Sequence, residues 1–184
     1  MRLMQCYRKA ASVLALTWSV VLAAPAQAET INFSAMLTNG TCALSLDRSI
    51  LPLGTVSPLQ FTPGRLLAPK PFTLFIRNCT GSGLFTPQVS VFGNGVTQDN
   101  KWLFRNAGSA AGIGIMVIQS DTVPDYSQSE IKDGTIIQVA NTGQIPADQE
   151  LTFYAGASCG GTTGCAEIGS GEVTATLMFD FAYQ

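Results

Sequence analysis

The chain has 184 residues, 46% of them apolar and 12% charged, which suits one or at most two small folded units and excludes a disordered chain. Ten basic residues face twelve acidic ones, so the net charge of −2 offers no tail or patch for nucleic acid. Histidine is absent, which removes Ser-His-Asp and Cys-His catalysis, histidine-bound zinc and histidine pH switching.

Residues 1–28 form a distinct segment. Arg2, Arg8 and Lys9 give a positive start, Ala10 to Ala24 an apolar stretch, and Pro25 to Ala28 a small-x-small end. This is the pattern of a secretory signal cleaved after Ala28. The apolar stretch is shorter than the roughly 20 residues needed to cross a bilayer, so an anchor is disfavoured. The mature chain is then Glu29 to Gln184, with seven bases against twelve acids and a net charge of −5. No later stretch is apolar for long enough to insert in a membrane.

Along the mature chain, short β-rich runs with period-two alternation are punctuated by Gly, Pro, Asn and Asp, and no long helical pattern appears. Ile31, Phe33, Ala35 and Leu37 alternate with polar or flexible neighbours. Phe72, Leu74 and Ile76 alternate up to Asn78-Cys79. Val89 to Phe92 leads into Gly93-Asn94-Gly95, a strong turn signal. Ile113–Ile118, Ile136–Val139, Leu151–Tyr154 and Val173–Tyr183 follow. Prolines after Leu53, Leu84 and Val123 keep those connections out of central strands. Met116 and Met178 read as core or interface filling. Seven or so short strands without a linker indicate one β-sandwich.

The last run has an apolar, aromatic face of Leu177, Phe179, Phe181 and Tyr183, ending one residue before Gln184. A long apolar strand at a sheet edge is a hazard that a soluble monomer normally blunts. Export also changes how the cysteines read. Cys6 leaves with the signal, and Cys42, Cys79, Cys159 and Cys165 remain, so two disulfides are expected in an oxidising compartment. Four cysteines allow three pairings. The Gly/Thr loop between Cys159 and Cys165 favours their closure, leaving Cys42 for Cys79; a four-cysteine structural zinc is the alternative.

The chain resembles the pilin subunits assembled by the chaperone–usher pathway, in particular type 1 and related fimbrial subunits. The resemblance rests on Ile31-Asn32-Phe33, Gly40-Thr41-Cys42, Leu53-Gly54-Thr55-Val56, Lys70-Pro71-Phe72 and Ile76-x-Asn78-Cys79. It continues through Val89-Ser90-Val91-Phe92-Gly93, Gly112 to Ile118, Phe153-Tyr154-Ala155 and Phe179 to Gln184 with its penultimate Tyr183. The resemblance implies an all-β, incomplete immunoglobulin-like sandwich (the pilin fold) that lacks its final strand. Donor-strand complementation completes it, first from a periplasmic fimbrial chaperone and then from the N-terminal extension of a neighbouring pilin subunit.

On that basis the expected organisation is a signal peptide at 1–28, a short donor-strand extension at 29–37 and a pilin domain at 38–184. Ile31, Phe33 and Ala35 would be the donor residues. Leu177, Phe179, Phe181 and Tyr183 would wall the acceptor groove, with Gln184 bringing the terminal carboxylate to the chaperone. The expected route is through the periplasm and an outer-membrane usher to a fimbrium on the cell surface. No cofactor or metal and no enzymatic step is expected.

The lead before Cys42 is short, no glycine lies between Glu29 and Asn39, and the Cys159–Cys165 hairpin is outside the common pilin pattern. These features favour a minor or adaptor-like subunit. The competing expectation is a self-contained exported carbohydrate-binding or adhesive β-sandwich, with Trp102, Phe104 and Tyr126 stacking on a host glycan. A weaker one places two-carboxylate chemistry at Asp121, Asp125 and Glu130.

Overall fold

In a computed structural model of the protein, the described residues are 40–81, 84–106, 108 and 110–184. The expected signal segment and the donor residues Ile31, Phe33 and Ala35, with Leu37, lie outside them. Nine strands are present among the described residues: β1 (Gly40–Leu46), β2 (Leu67–Gly81), β3 (Pro87–Phe92), β4 (Gly95–Gln98) and β5 (Lys101–Phe104). They are followed by β6 (Gly114–Gln119), β7 (Thr135–Gln138), β8 (Gln149–Ser158) and β9 (Met178–Tyr183).

The strands form two sheets. Six run in the order β1-β2-β8-β6-β5-β4, and three in the order β7-β3-β9. All the pairings are antiparallel. The alternation seen in the sequence sets what faces inward. On β2, Phe72, Leu74 and Ile76 are buried, while Thr73, Phe75 and Arg77 lie on the other face and are only half-buried. Val89 and Val91 of β3 meet them from the opposite sheet, with Phe153 of β8 between. Phe72 stacks on Phe153 at 5.4 Å between ring centroids, and each ring also contacts Phe179 of β9. Burying each of these large side chains supplies about 1.5–3 kcal/mol, which makes this aromatic layer a principal source of cohesion between the sheets.

The outer face of the larger sheet carries a second apolar cluster. Leu103, Met116 and Ile118 are buried there beneath Leu66 and Tyr126. The two disulfides pair as expected. Cys42–Cys79 joins the neighbouring strands β1 and β2, and Cys159–Cys165 closes a short loop after β8.

Three details differ from the sequence reading. Three of the nine strands among the described residues were not expected: β1, and β4 and β5, which form a hairpin whose turn is Asp99-Asn100, both with positive φ (49° and 65°). Such backbone suits a tight two-residue turn, and Asp and Asn tolerate it better than most residues. Gly93-Asn94 is not a hairpin turn: it carries the chain from β3 in the smaller sheet to β4 in the larger one. A Cβ on Gly93 would lie 2.7 Å from the Thr176 carbonyl oxygen, so glycine here lets two backbones cross closely. Finally, only Met178–Tyr183 of the predicted Val173–Tyr183 strand pairs in a sheet. The preceding residues are held by other means.

Candidate functional site

β9 lies at the edge of the smaller sheet, and among the described residues β3 alone pairs with it. Its register sets Phe179 opposite Val91, Phe181 opposite Val89 and Tyr183 opposite Pro87. Period-two geometry therefore turns Phe179, Phe181 and Tyr183 towards the core while Met178 and Asp180 are exposed. The inward side chains are nonetheless only half-buried, unlike Val89 and Val91 beside them. The core is open along this strand.

The opening is a groove of about 530 Å³. Its floor is made by Phe72, Ile115, Val117, Ala155 and Ala157 of the larger sheet. One wall is the C-terminal segment, through Val173, Ala175, Leu177 and Phe179. The facing wall is the end of β1, Leu46, and the connection from β1 to β2, through Leu51, Leu53 and Val56. The Lys70 ammonium donates to the Pro52 carbonyl at 2.6 Å, tying that wall to β2. Sequence reasoning did not assign this second wall. Its available signal was Leu51, Leu53 and Val56, apolar residues left half-buried between polar or turn-forming ones.

Of the residues predicted for the groove, Leu177 and Phe179 line it directly. Phe181 and Tyr183 continue the same face, with their rings edge-to-face at 5.2 Å. The Tyr183 ring lies against Gly40, where a Cβ would come within 2.7 Å of it, so the beginning of β1 and the end of β9 share one end of the sandwich. The Tyr183 hydroxyl is buried without a hydrogen-bond partner among the described residues. Gln184 is exposed, and its backbone exchanges two hydrogen bonds with Thr86, at 2.7 and 3.0 Å.

The segment leading into β9 is strapped to the loop after β5. The Asn106 backbone N–H donates to the Thr174 carbonyl at 2.7 Å and the Asn106 side-chain amide to Thr176 Oγ1 at 2.8 Å, while the Ala110 N–H donates to the Glu172 carbonyl at 3.2 Å. These bonds replace a sheet ladder and hold Val173 to Leu177 extended as a wall.

The residues considered for sugar stacking are not arranged for it. Phe104 is fully buried, and Trp102 packs edge-on against it at 6.0 Å. Tyr126 covers the second apolar cluster. Of the acidic residues considered for hydrolysis, Glu130 is engaged in an ion pair. The Glu130 carboxylate accepts from the Lys101 ammonium at 3.0 Å and the Trp102 N–H at 3.2 Å. Burial opposes its charge, but hydrogen bonds from the Glu130 backbone, Lys101 and Trp102 outweigh that and hold its pKa below the usual value. Burial, followed by the charges of Asp99 and Glu130, raises the pKa of Tyr126. No group of three or more His, Cys, Asp or Glu side chains is placed to hold a metal among the described residues.

The chemistry available in the groove is therefore apolar burial beside a strand edge left unpaired among the described residues. An added strand can satisfy the outward backbone groups of β9 while alternate side chains fill the opening.

No protein-family model matches the sequence. The chain is 26% identical over 175 residues, 93% of its own length and 94% of the relative's, to the "uncharacterized fimbrial-like protein YcbV" of Escherichia coli K12. A chain in a solved structure of a chaperone–usher pilus, described for its rod uncoiling, aligns with a TM-score of 0.55 at 18% identity, covering 88% of this chain and 98% of that one. The rod subunit PapA of the P pilus aligns with a TM-score of 0.49 at 18% identity over 78% of this chain and 99% of its own. With two antiparallel sheets left open along the last strand, this chain has the pilin-like fold of chaperone–usher pilus subunits.

Proposed function

We propose that the protein is a non-enzymatic structural subunit of an adhesive fimbria, exported to the periplasm and assembled at the cell surface by donor-strand exchange. The open groove beside β9 carries this reading: it exposes apolar core along a strand that, among the described residues, has a neighbour on one side only. A chaperone strand fills the groove during transit, an outer-membrane usher receives the complex, and the N-terminal extension of a neighbouring subunit takes the chaperone's place. Residues 29–37 of this chain supply the corresponding donor, with Ile31, Phe33 and Ala35 entering the next groove. The departures from the common pilin pattern favour a minor or adaptor-like position in the fibre.

Native mass spectrometry of the periplasmic protein, expressed with and without a fimbrial chaperone, tests the proposal. A 1:1 complex with the chaperone, and poor yield or self-linked ladders without it, is the expected result. A fully folded monomer that ignores the chaperone would refute it in favour of a self-contained module. Deleting Glu29 to Ala35 should leave chaperone capture intact and abolish donation to a neighbour; normal polymerisation of the deleted chain would exclude these residues as the donor.

A further inference from the structure

The short loop closed by Cys159–Cys165 is held more firmly than its composition suggests. Its sequence, Gly160-Gly161-Thr162-Thr163-Gly164, has little side chain to pack. The β4–β5 hairpin grips it instead. The Asp99 carboxylate accepts from the Thr162 N–H at 2.7 Å, the Thr163 N–H at 2.9 Å and the Thr163 hydroxyl at 2.5 Å. The neighbouring Gln98 side-chain amide donates to the Cys159 carbonyl at 2.5 Å and to the Gly112 carbonyl at 3.3 Å. Two adjacent residues of one hairpin thus fix both flanks of the loop.

The grip is transmitted towards the groove. Beyond the disulfide, the Gly169 N–H donates to the Ala111 carbonyl at 3.2 Å, and the Ala110 N–H donates to the Glu172 carbonyl. The Arg105 guanidinium donates to the Ala110 carbonyl at 2.6 Å, holding that loop in turn. Ile168 and Val173 pack on a small cluster of Ala110, Ile113 and Ala157. Val173 and Ala157 both also line the groove. Among the described residues the wall segment at this end has no sheet partner, and these bonds and the small cluster, with the Asn106 N–H bond to the Thr174 carbonyl, help to set where Val173 stands.

We propose that the Cys159–Cys165 loop and its clamp, Gln98 and Asp99, form a positioning device that sets the Val173 end of the groove and so decides how tightly an added strand is received there. This rests on the strand-accepting reading above. Asp99 and Gln98 touch no incoming strand; they act through residues 164–173. The ligand class is an extended peptide segment with an apolar side chain directed at Val173 and Ala157.

Two measurements on the mature chain, using Asp99→Ala and, separately, Cys159→Ser/Cys165→Ser, test the device and remain distinguishable from a test of the groove. The first is backbone hydrogen exchange without any donor. The expected result is exchange about tenfold faster at Ala110 and Gly169, whose N–H groups donate to the Glu172 and Ala111 carbonyls, with Met178 to Tyr183 unchanged. Unchanged exchange at Ala110 and Gly169 in Asp99→Ala, the milder variant, would overturn the proposal even if the serine variant fails to fold. The second is capture of a synthetic peptide of residues 29–39, with single alanine replacements at Ile31, Phe33 and Leu37. The clamp variants should bind the parent peptide about tenfold more weakly, and the deficit should vanish when one terminal anchor, Ile31 or Leu37, is already alanine. An equal deficit for every peptide would mark a general loss of stability and overturn the positioning role. Failure of the unaltered chain to capture any donor would count against the groove assignment, and with it the role of the device in strand capture.

Discussion

Phe179→Ala separates a groove wall from ordinary core. Truncating a buried phenylalanine to alanine typically costs about 3–5 kcal/mol. Phe179 touches Phe153 at 5.6 Å and Phe72 at 6.3 Å, yet it is only half-buried because the groove in front of it is open. In the open subunit about half the full penalty applies, roughly 2 kcal/mol; once a strand covers the ring, the cost rises towards about 4 kcal/mol. The difference of about 2 kcal/mol corresponds to roughly a thirtyfold loss of donor affinity. The assay is urea unfolding of the mature chain over a series of donor-peptide concentrations, since a ligand at free concentration L that binds only the folded state stabilises it by RT ln(1 + L/Kd). Leu74→Ala is the control, because Leu74 is 1% exposed with the groove open and its loss should cost the same with or without donor. Equal destabilisation by Phe179→Ala in both conditions would refute the argument, since it would mean that no strand covers the ring.

Three further outcomes follow from particular contacts. Asp99 has its pKa lowered from 3.8 by the Thr163 hydroxyl bond first and the Thr162 N–H next. Its contribution is therefore fully present above the ordinary value and is lost as pH falls through the lower folded value. The urea-midpoint difference between the parent and Asp99→Asn should hold steady from pH 7 to pH 5 and shrink below about pH 3.8; a difference that grows on acidification would contradict this. The Cys42–Cys79 bridge closes a sequence separation of 37, so Cys42→Ser/Cys79→Ser should lose about 4 kcal/mol in oxidising urea titrations. Tyr126→Phe should be neutral or stabilise by up to about 1 kcal/mol in the same titrations, because the Tyr126 hydroxyl is buried without a hydrogen-bond partner among the described residues.

Much of this protein is legible in local pattern. The period-two alternation of Phe72, Leu74 and Ile76 and of Leu177 to Tyr183 identifies inward faces, since side chains on a strand alternate whatever the strand pairs with. Four cysteines after the expected export signal point to the two disulfides, and the resemblance in the C-terminal strand points to the incomplete sandwich. What sequence could not supply is which strand lies beside which. Gly93-Asn94-Gly95 has the composition of a hairpin turn, but tertiary packing sends β4 to the other sheet. The wall from Leu51 to Val56 belongs to no strand, and its role arises only because β1 and β2 bring it opposite Val173 to Phe179. The Gly/Thr loop between Cys159 and Cys165 reads as flexible until Asp99, more than sixty residues away in the chain, is brought to its backbone amides. Periodicity and covalent spacing are local properties that the chain carries on its own. An open groove is defined by the distance between elements remote in sequence, and the folded arrangement alone sets that distance.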